Sequence, residues 1–168
     1  HDCPDATCAD WSSYTSSSQA GTLTGPSDGF GLRAYWKPEE TGVCKSLGIR
    51  YGQFGSGVAS VHCLVNENHT NKGGVAHGAL FTTMLDTALG GALVSTLRKE
   101  EWCATAQLNV SFLEAGFVDT KLTCEGRIVR RGKGVAHLAG EVVDDAGVVY
   151  ATATGTWAIF ASKPKKFN

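Results

Sequence analysis

One segment limits the folds open to this chain more than any other: the apolar stretch from Ala79 to Leu97. Leu80, Phe81, Met84, Leu85, Ala88, Leu89, Ala92 and Leu93 recur at helical spacing, and Asp86 is the single charge in the stretch. A helix that is apolar around most of its circumference has to be covered on nearly all sides. Gly90 and Gly91 inside it each cost about 1 kcal/mol of helix propensity relative to alanine. The usual return for that cost is close approach of another backbone.

The covering material reads as strand. LGIRYGQF and GVASVHCLVN form a hairpin hinged at Gly55 and Gly57. After the helix, Thr105, Gln107, Asn109 and Ser111 alternate with Ala106, Leu108, Val110 and Phe112, a period of two with one polar face. KLTCEGRIVRR and GVAHLAGEVVD join across Arg131-Gly132-Lys133-Gly134, and Asp144-Asp145-Ala146-Gly147 turns the chain into VVYATATGTWAIF. No helical pattern follows Leu97, which excludes a doubly wound parallel sheet. The economical arrangement is α+β: an antiparallel sheet of about six strands wrapped around one long buried helix.

At 168 residues the chain holds one ordinary domain. Residues 1–46 read as a polar N-terminal arm, partly flexible, with a short helix or packed loop within 33–45; residues 47–161 as the folded domain; residues 162–168 as a basic tail. A formal net charge of -1 gives no global attraction to nucleic acid or to anionic membranes, and neither is an expected partner. No apolar run approaches the ~20 residues of a spanning helix. The first residues lack a signal-peptide pattern, and the sequence starts at His1, so the expected compartment is the cytoplasm, or an organelle if an upstream targeting segment has been removed.

Six cysteines are present without a CxxC pair, and Cys44, Cys63, Cys103 and Cys124 sit singly in or beside strand-like runs. They read as free thiols rather than disulfides. His1, Cys3 and Cys8 read as an unstructured terminus, and His62, His69 and His137 show no metal-ligand spacing. No metal or cofactor is expected.

Two features carry candidate chemistry. The segment Asn71-Lys-Gly-Gly-Val-Ala-His77-Gly78-Ala79 runs straight into the apolar helix and puts Gly78 at about its first position, where amides are unpaired and the dipole favours negative charge. That suits an oxyanion hole for acyl transfer; it equally suits a turn ahead of a helix. Asp86 is the second feature. A lone carboxylate in such a helix is expensive to bury without a partner, and no Lys or Arg lies within a turn of it. Ala79, Thr82, Thr83 and Gly90 share its side, so Thr hydroxyls or a neighbouring backbone are its possible partners. A carboxylate stripped of water is a better general base or nucleophile.

Gly78 and Asp86 are eight residues apart, about 12 Å along a helix axis, whereas groups acting on one carbonyl lie within about 3 Å of the reacting atoms. Two side-by-side copies solve this, each Gly78 end approaching the other chain's Asp86. A homodimer with sites across its interface follows, with Gly90 and Gly91 permitting close packing near the seam. Arg130, Arg131 and Lys133 cluster at the glycine-rich turn and suit phosphate groups, or form a solvated hairpin tip. No Gly-x-Ser-x-Gly elbow supplies a serine nucleophile.

Asn71-(x)5-His77-Gly78 followed by Asp86, then Thr105-Ala-Gln-Leu-Asn-Val-Ser-Phe and Gly126-Arg-Ile-Val-Arg-Arg-Gly-Lys, resembles the phenylacetate-degradation (PaaI-type) branch of the hotdog-fold 4-hydroxybenzoyl-CoA thioesterase superfamily. The resemblance spans roughly Leu47 to Phe160. It implies a hotdog fold and hydrolysis of an acyl-CoA thioester to free acid and CoA without metal or cofactor, by a dimer or tetramer. It further implies that the Gly78 N–H polarises the carbonyl, that Asp86 of the neighbouring subunit activates water or attacks, that Asn71 and His77 order the carbonyl site, and that Thr105 assists the water. The turn Arg130, Arg131, Gly132, Lys133 and Gly134, and the stretch from Phe112 and Leu113 onward, match segments that contact CoA. Where the family often has His-Gly-Gly, this chain has His77-Gly78-Ala79, which leaves the Gly78 amide in place. Two other readings share the scaffold, a non-catalytic acyl-CoA sensor and an acyl-thioester hydratase. The sensor usually carries a DNA-binding helical module, and the hydratase an Asp and His in one motif; neither is found here.

Overall fold

A computed structural model of the chain describes residues 42–163 and 165. The first 41 residues of the arm, with His1, Cys3 and Cys8, and most of the basic tail lie outside the described residues. A short helix α1 (Gly42–Ser46) leads into the hairpin β1 (Arg50–Gly55) and β2 (Val58–Leu64). A single 3-10 turn (Glu67–His69) and a loop precede the long helix α2 (Gly78–Val94). Four strands follow: β3 (Trp102–Phe112), β4 (Lys121–Arg131), β5 (Val135–Asp144) and β6 (Val149–Phe160). They form one antiparallel sheet in the order β1-β2-β4-β5-β6-β3, so β1 and β3 are its two edges. α1 stands ahead of the expected start at Leu47 and packs on the body through buried Cys44.

The sheet curls round α2 because the apolar positions of both point the same way. Met84, Leu85, Ala88, Leu89, Ala92 and Leu93 are fully buried against Val61, Cys63, Leu122, Cys124, Leu138, Val142 and Trp157. Each large side chain so removed from water contributes roughly 1.5–3 kcal/mol before entropy is counted. The closest approach of helix to sheet is made from the sheet side. Gly126 on β4 and Gly140 on β5 are register partners, and a Cβ at Gly126 would lie 2.5 Å from the Ala88 carbonyl carbon. Gly90, where close approach was expected, instead leaves ordinary room: an added Cβ would sit 3.6 Å from Trp157 Nε1. Cys44, Cys63 and Cys124 are free thiols.

The helix differs from expectation in one respect. It is not covered on nearly all sides within a single chain: Ala79 and Asp86 are exposed, and Thr82, Thr83, Thr87 and Gly90 are half-buried. This stripe of small and polar residues stays open because, among the described residues, the sheet stops at β3.

Candidate active site

The loop ahead of α2 is built to hold its first turn. Asn66 caps the 3-10 turn through its side chain, and the buried His69 returns the favour by accepting the Asn66 N–H at Nδ1 (3.1 Å). The His69 carbonyl then accepts the His77 N–H (2.7 Å), while Asn71 N–H reaches Val75 O (2.8 Å) and Asn71 Oδ1 accepts Gly73 N–H (2.8 Å). His77 is the N-cap of α2, its Nδ1 accepting the Ala79 N–H at 3.0 Å. That bond requires Nδ1 to be unprotonated, which places the proton of the neutral ring on Nε2. Asn71 and His77 are thus the fixtures of the turn that presents Gly78, with their side-chain oxygen and Nδ1 already engaged. The Gly78 N–H makes no hydrogen bond among the described residues. Beside it lies the exposed Phe112 ring, whose carbons would be 3.1 Å from a Cβ at position 78.

Asp86 meets a partner that the alternation of β3 hides. Trp157 is a core residue on the inner face of β6, and its register partner on β3 is Thr105. Between Thr105 and Gln107 the register slips, so Ala106 is a bulge. A bulge re-aims the side chains on either side of it. Without it Thr105 would share the outer face with Gln107, Asn109 and Ser111; with it, Thr105 points at α2 and its Oγ1 donates to Asp86 Oδ1 at 2.8 Å. The other expected partners are spoken for: Thr82 and Thr83 donate to the carbonyls of Gly78 and Ala79 (3.0 and 2.8 Å). Asp86 Oδ2 has no hydrogen bond among the described residues, and the carboxylate faces solvent, so one chain does not by itself desolvate it.

The third group, the basic turn, is split. Successive strand residues face opposite sides of a sheet. Arg130 pairs with exposed His137 on the outer face, and Arg131 pairs with the buried Ala136 on the inner one. Arg131 Nη2 donates to Glu101 Oε2 at 2.6 Å, and Arg98 donates to the same carboxylate through its amide N, Nε and Nη2 (2.8, 3.2 and 2.9 Å). Burial pulls the Glu101 carboxyl upward, but the hydrogen bonds from Arg98 and the charges of Arg131 and Arg98 together outweigh it and hold it below the ordinary range. Gly132 and Gly134 close the turn by backbone bonds to Val135 and Ile159, leaving Lys133 exposed.

Beyond Phe112 the chain leaves Leu113 and Phe117 exposed at 57% and 60%. Phe81 joins this patch to the core, its ring centroid 6.4 Å from Phe112 and 6.2 Å from Tyr150. Leu85, one helical turn further on, is fully buried core. Glu101 and Ala106 are the residues that sequence reasoning missed. Lys-Glu-Glu ahead of Trp102 reads as solvated, and nothing in Thr-Ala-Gln marks a bulge.

The thioesterase superfamily matches residues 73–151, the run from the glycine loop to β6. A protein of Saccharolobus solfataricus named as a candidate esterase, SSO2140, is 30% identical over 121 residues, covering 72% of this chain and 85% of the relative. Among solved structures, the Escherichia coli PaaI protein of the phenylacetic acid degradation operon has a TM-score of 0.65 at 24% identity, over 70% of this chain and 83% of that one. The smu.793 protein of Streptococcus mutans, solved bound to acetyl CoA, has a TM-score of 0.63 at 24% identity, over 69% and 91% of the two chains.

Proposed function

The chain belongs to the thioesterase superfamily and has the hotdog fold, and from that premise we propose that it hydrolyses acyl-CoA thioesters at a site shared by two copies. The observation that carries the reading is the pairing of an unengaged Gly78 amide at the start of α2 with a carboxylate in the middle of α2 that Thr105 holds by one oxygen only.

The thioester carbonyl oxygen accepts the Gly78 N–H, where the helix dipole adds to the stabilisation of developing negative charge. Asp86 uses its free Oδ2 to take a proton from water as the water oxygen bonds to the carbonyl carbon. Collapse of the tetrahedral species breaks the C–S bond, Asp86 returns its proton to the departing sulfur, and CoA leaves as the thiol with the acid as the other product. Direct attack by Asp86, giving an anhydride that water then opens, uses the same atoms. Thr105 fixes the carboxylate rotamer in either course. Asn71 and His77 keep the Gly78 turn in shape, and Phe112 and Leu113 offer apolar surface beside it for the acyl or pantetheine portion.

Two copies are needed because the amide and the carboxylate are about 12 Å apart along one helix. Two features support self-association. Among the described residues β3, 11 residues long, is an edge strand of the sheet, a template for another strand. The open stripe of α2 lies alongside it, so a second copy on that edge would cover Asp86 and strip its water. The bound acetyl CoA of smu.793 supports an acyl-CoA ligand for this fold.

The test is release of CoA from a panel of acyl-CoAs by wild type and Asp86→Ala. Turnover is expected to fall at least about a hundredfold in the variant, the scale of a general-base contribution. Tight binding without wild-type turnover supports the sensor reading instead, and unchanged turnover in Asp86→Ala removes that residue from the chemistry.

A further inference from the structure

Glu101 is the one buried acidic side chain among the described residues, 4% exposed, and the thioesterase chemistry gives it no part. It lies one residue before β3 and joins two cations from distant parts of the chain, Arg98 from the α2–β3 connection and Arg131 from the end of β4. Arg131 uses one Nη on Glu101, is part-exposed, and stands two residues from the exposed Lys133. A fixed guanidinium with N–H donors to spare, two residues along the chain from an exposed lysine, is suited to a phosphate group.

We propose that Glu101 is a positioning residue for substrate recognition, orienting Arg131 so that it and Lys133 bind the phosphates of the CoA portion. The inference rests on the acyl-CoA reading above and deepens it by naming the buried carboxylate that sets the Arg131 side chain. Glu101 touches no substrate; it acts by denying the Arg131 side chain its many rotamers, so that binding does not have to order it. Its carboxyl is held in the charged form by the same two arginines. Arg130, on the outer face, takes no part.

The sign of the effect separates positioning from simple charge. If Glu101 merely neutralised cations, its removal would strengthen phosphate binding and lower KM. If it positions Arg131, removal raises KM although the site has become more positive.

The experiment compares one acyl group presented as its CoA thioester and as its N-acetylcysteamine thioester, which has no nucleotide, using wild type, Glu101→Gln and Glu101→Asp at matched ionic strength. Expected for Glu101→Gln is a KM for the CoA thioester raised about three- to tenfold, the equivalent of ordering one side chain on binding. The kcat is unchanged, kcat/KM for the N-acetylcysteamine thioester is unchanged, and Glu101→Asp recovers part of the KM. Arg131→Gln, which leaves the carboxylate's bonds to Arg98 in place, is expected to reproduce the KM rise; an unchanged KM there removes the cation that Glu101 is said to hold and overturns the assignment even should Glu101→Gln fold poorly. A lowered or unchanged KM for the CoA thioester, or an equal loss on both substrates, overturns the assignment and leaves Glu101 a latch between β3 and β4. Wild type that hydrolyses neither thioester overturns the proposed function and this inference with it.

Discussion

Replacing Gly126 by alanine tests the packing that places the site. The added Cβ would lie 2.5 Å from the carbonyl carbon and 2.6 Å from the oxygen of Ala88, and 2.6 Å from the Leu89 amide nitrogen. Ordinary carbon contacts are about 3.5–4.0 Å, so helix and strand must part by about 1 Å. Neither side can rotate away, because the atoms met are backbone. A gap of about that size forfeits a quarter to a half of each dispersion contact along the seam, and overpacking of this kind costs about 3 kcal/mol. At about 4 °C per kcal/mol, between the figures for smaller and larger domains, Tm falls by about 12 °C. Gly134→Ala is the matched control: nothing lies within 4 Å of its Cβ and its backbone is outside the left-handed region, so it is neutral or stabilising by up to about 1 kcal/mol through the unfolded chain. Thermal denaturation at one protein concentration reads both. A loss of less than about 4 °C in Gly126→Ala, corresponding to under about 1 kcal/mol, would refute the claim that this glycine pair sets the helix-to-sheet distance.

Two further outcomes follow from single contacts. Thr105→Val deletes the donor to Asp86 and keeps the shape; with the carboxylate open to water the bond contributes about 1 kcal/mol, so kcat falls about five- to tenfold with KM held, and a kcat within twofold of wild type would dismiss the role given to the bulge. Stability is expected to fall as the medium is made acidic. Burial pushes the His62 and His69 imidazoles below their ordinary values, with Asp145 and a Leu47 backbone bond opposing weakly. The unfolded chain therefore takes up protons first, and stability is lost from about pH 6.5 downward until the folded-state imidazoles titrate. Glu101, held low by its arginines, adds a further loss at more acid pH as its carboxylate is neutralised. A Tm that stays level between pH 7 and pH 5 contradicts this.

Elements that announce themselves through period were legible in the sequence, and groups that depend on register were not. The apolar repeat of α2 and the turn glycines of both hairpins carry local signals, so the α+β wrap followed from them. The pairing of Gly126 with Gly140 is set by the register of β4 on β5, and nothing within either strand reveals it. Thr105 looked like an outer-face residue because Thr105, Gln107, Asn109 and Ser111 keep a period of two; one bulged alanine reverses the first of them. Adjacent Arg130 and Arg131 read as a cluster, whereas strand alternation parts them. Burial of Asp86 was inferred from the apolarity of its helix, but the open stripe beside the β3 edge leaves it uncovered in one chain.

Whether the amide and the carboxylate of one site come from different copies can be measured by mixing two inactive variants. Asp86→Ala removes the carboxylate. Gly78→Pro removes the N–H at a first helical position, where proline is tolerated, and the extended His77 backbone (ψ 138°) suits a residue before proline. A mixed dimer then holds one site with Asp86 from one chain and Gly78 from the other, both intact, and a second site with neither. After unfolding and refolding together, recovery of about a quarter of wild-type turnover is expected from random pairing of isologous subunits. A mixture as inactive as its two components would mean that each chain builds its site alone, and the shared-site mechanism would be wrong.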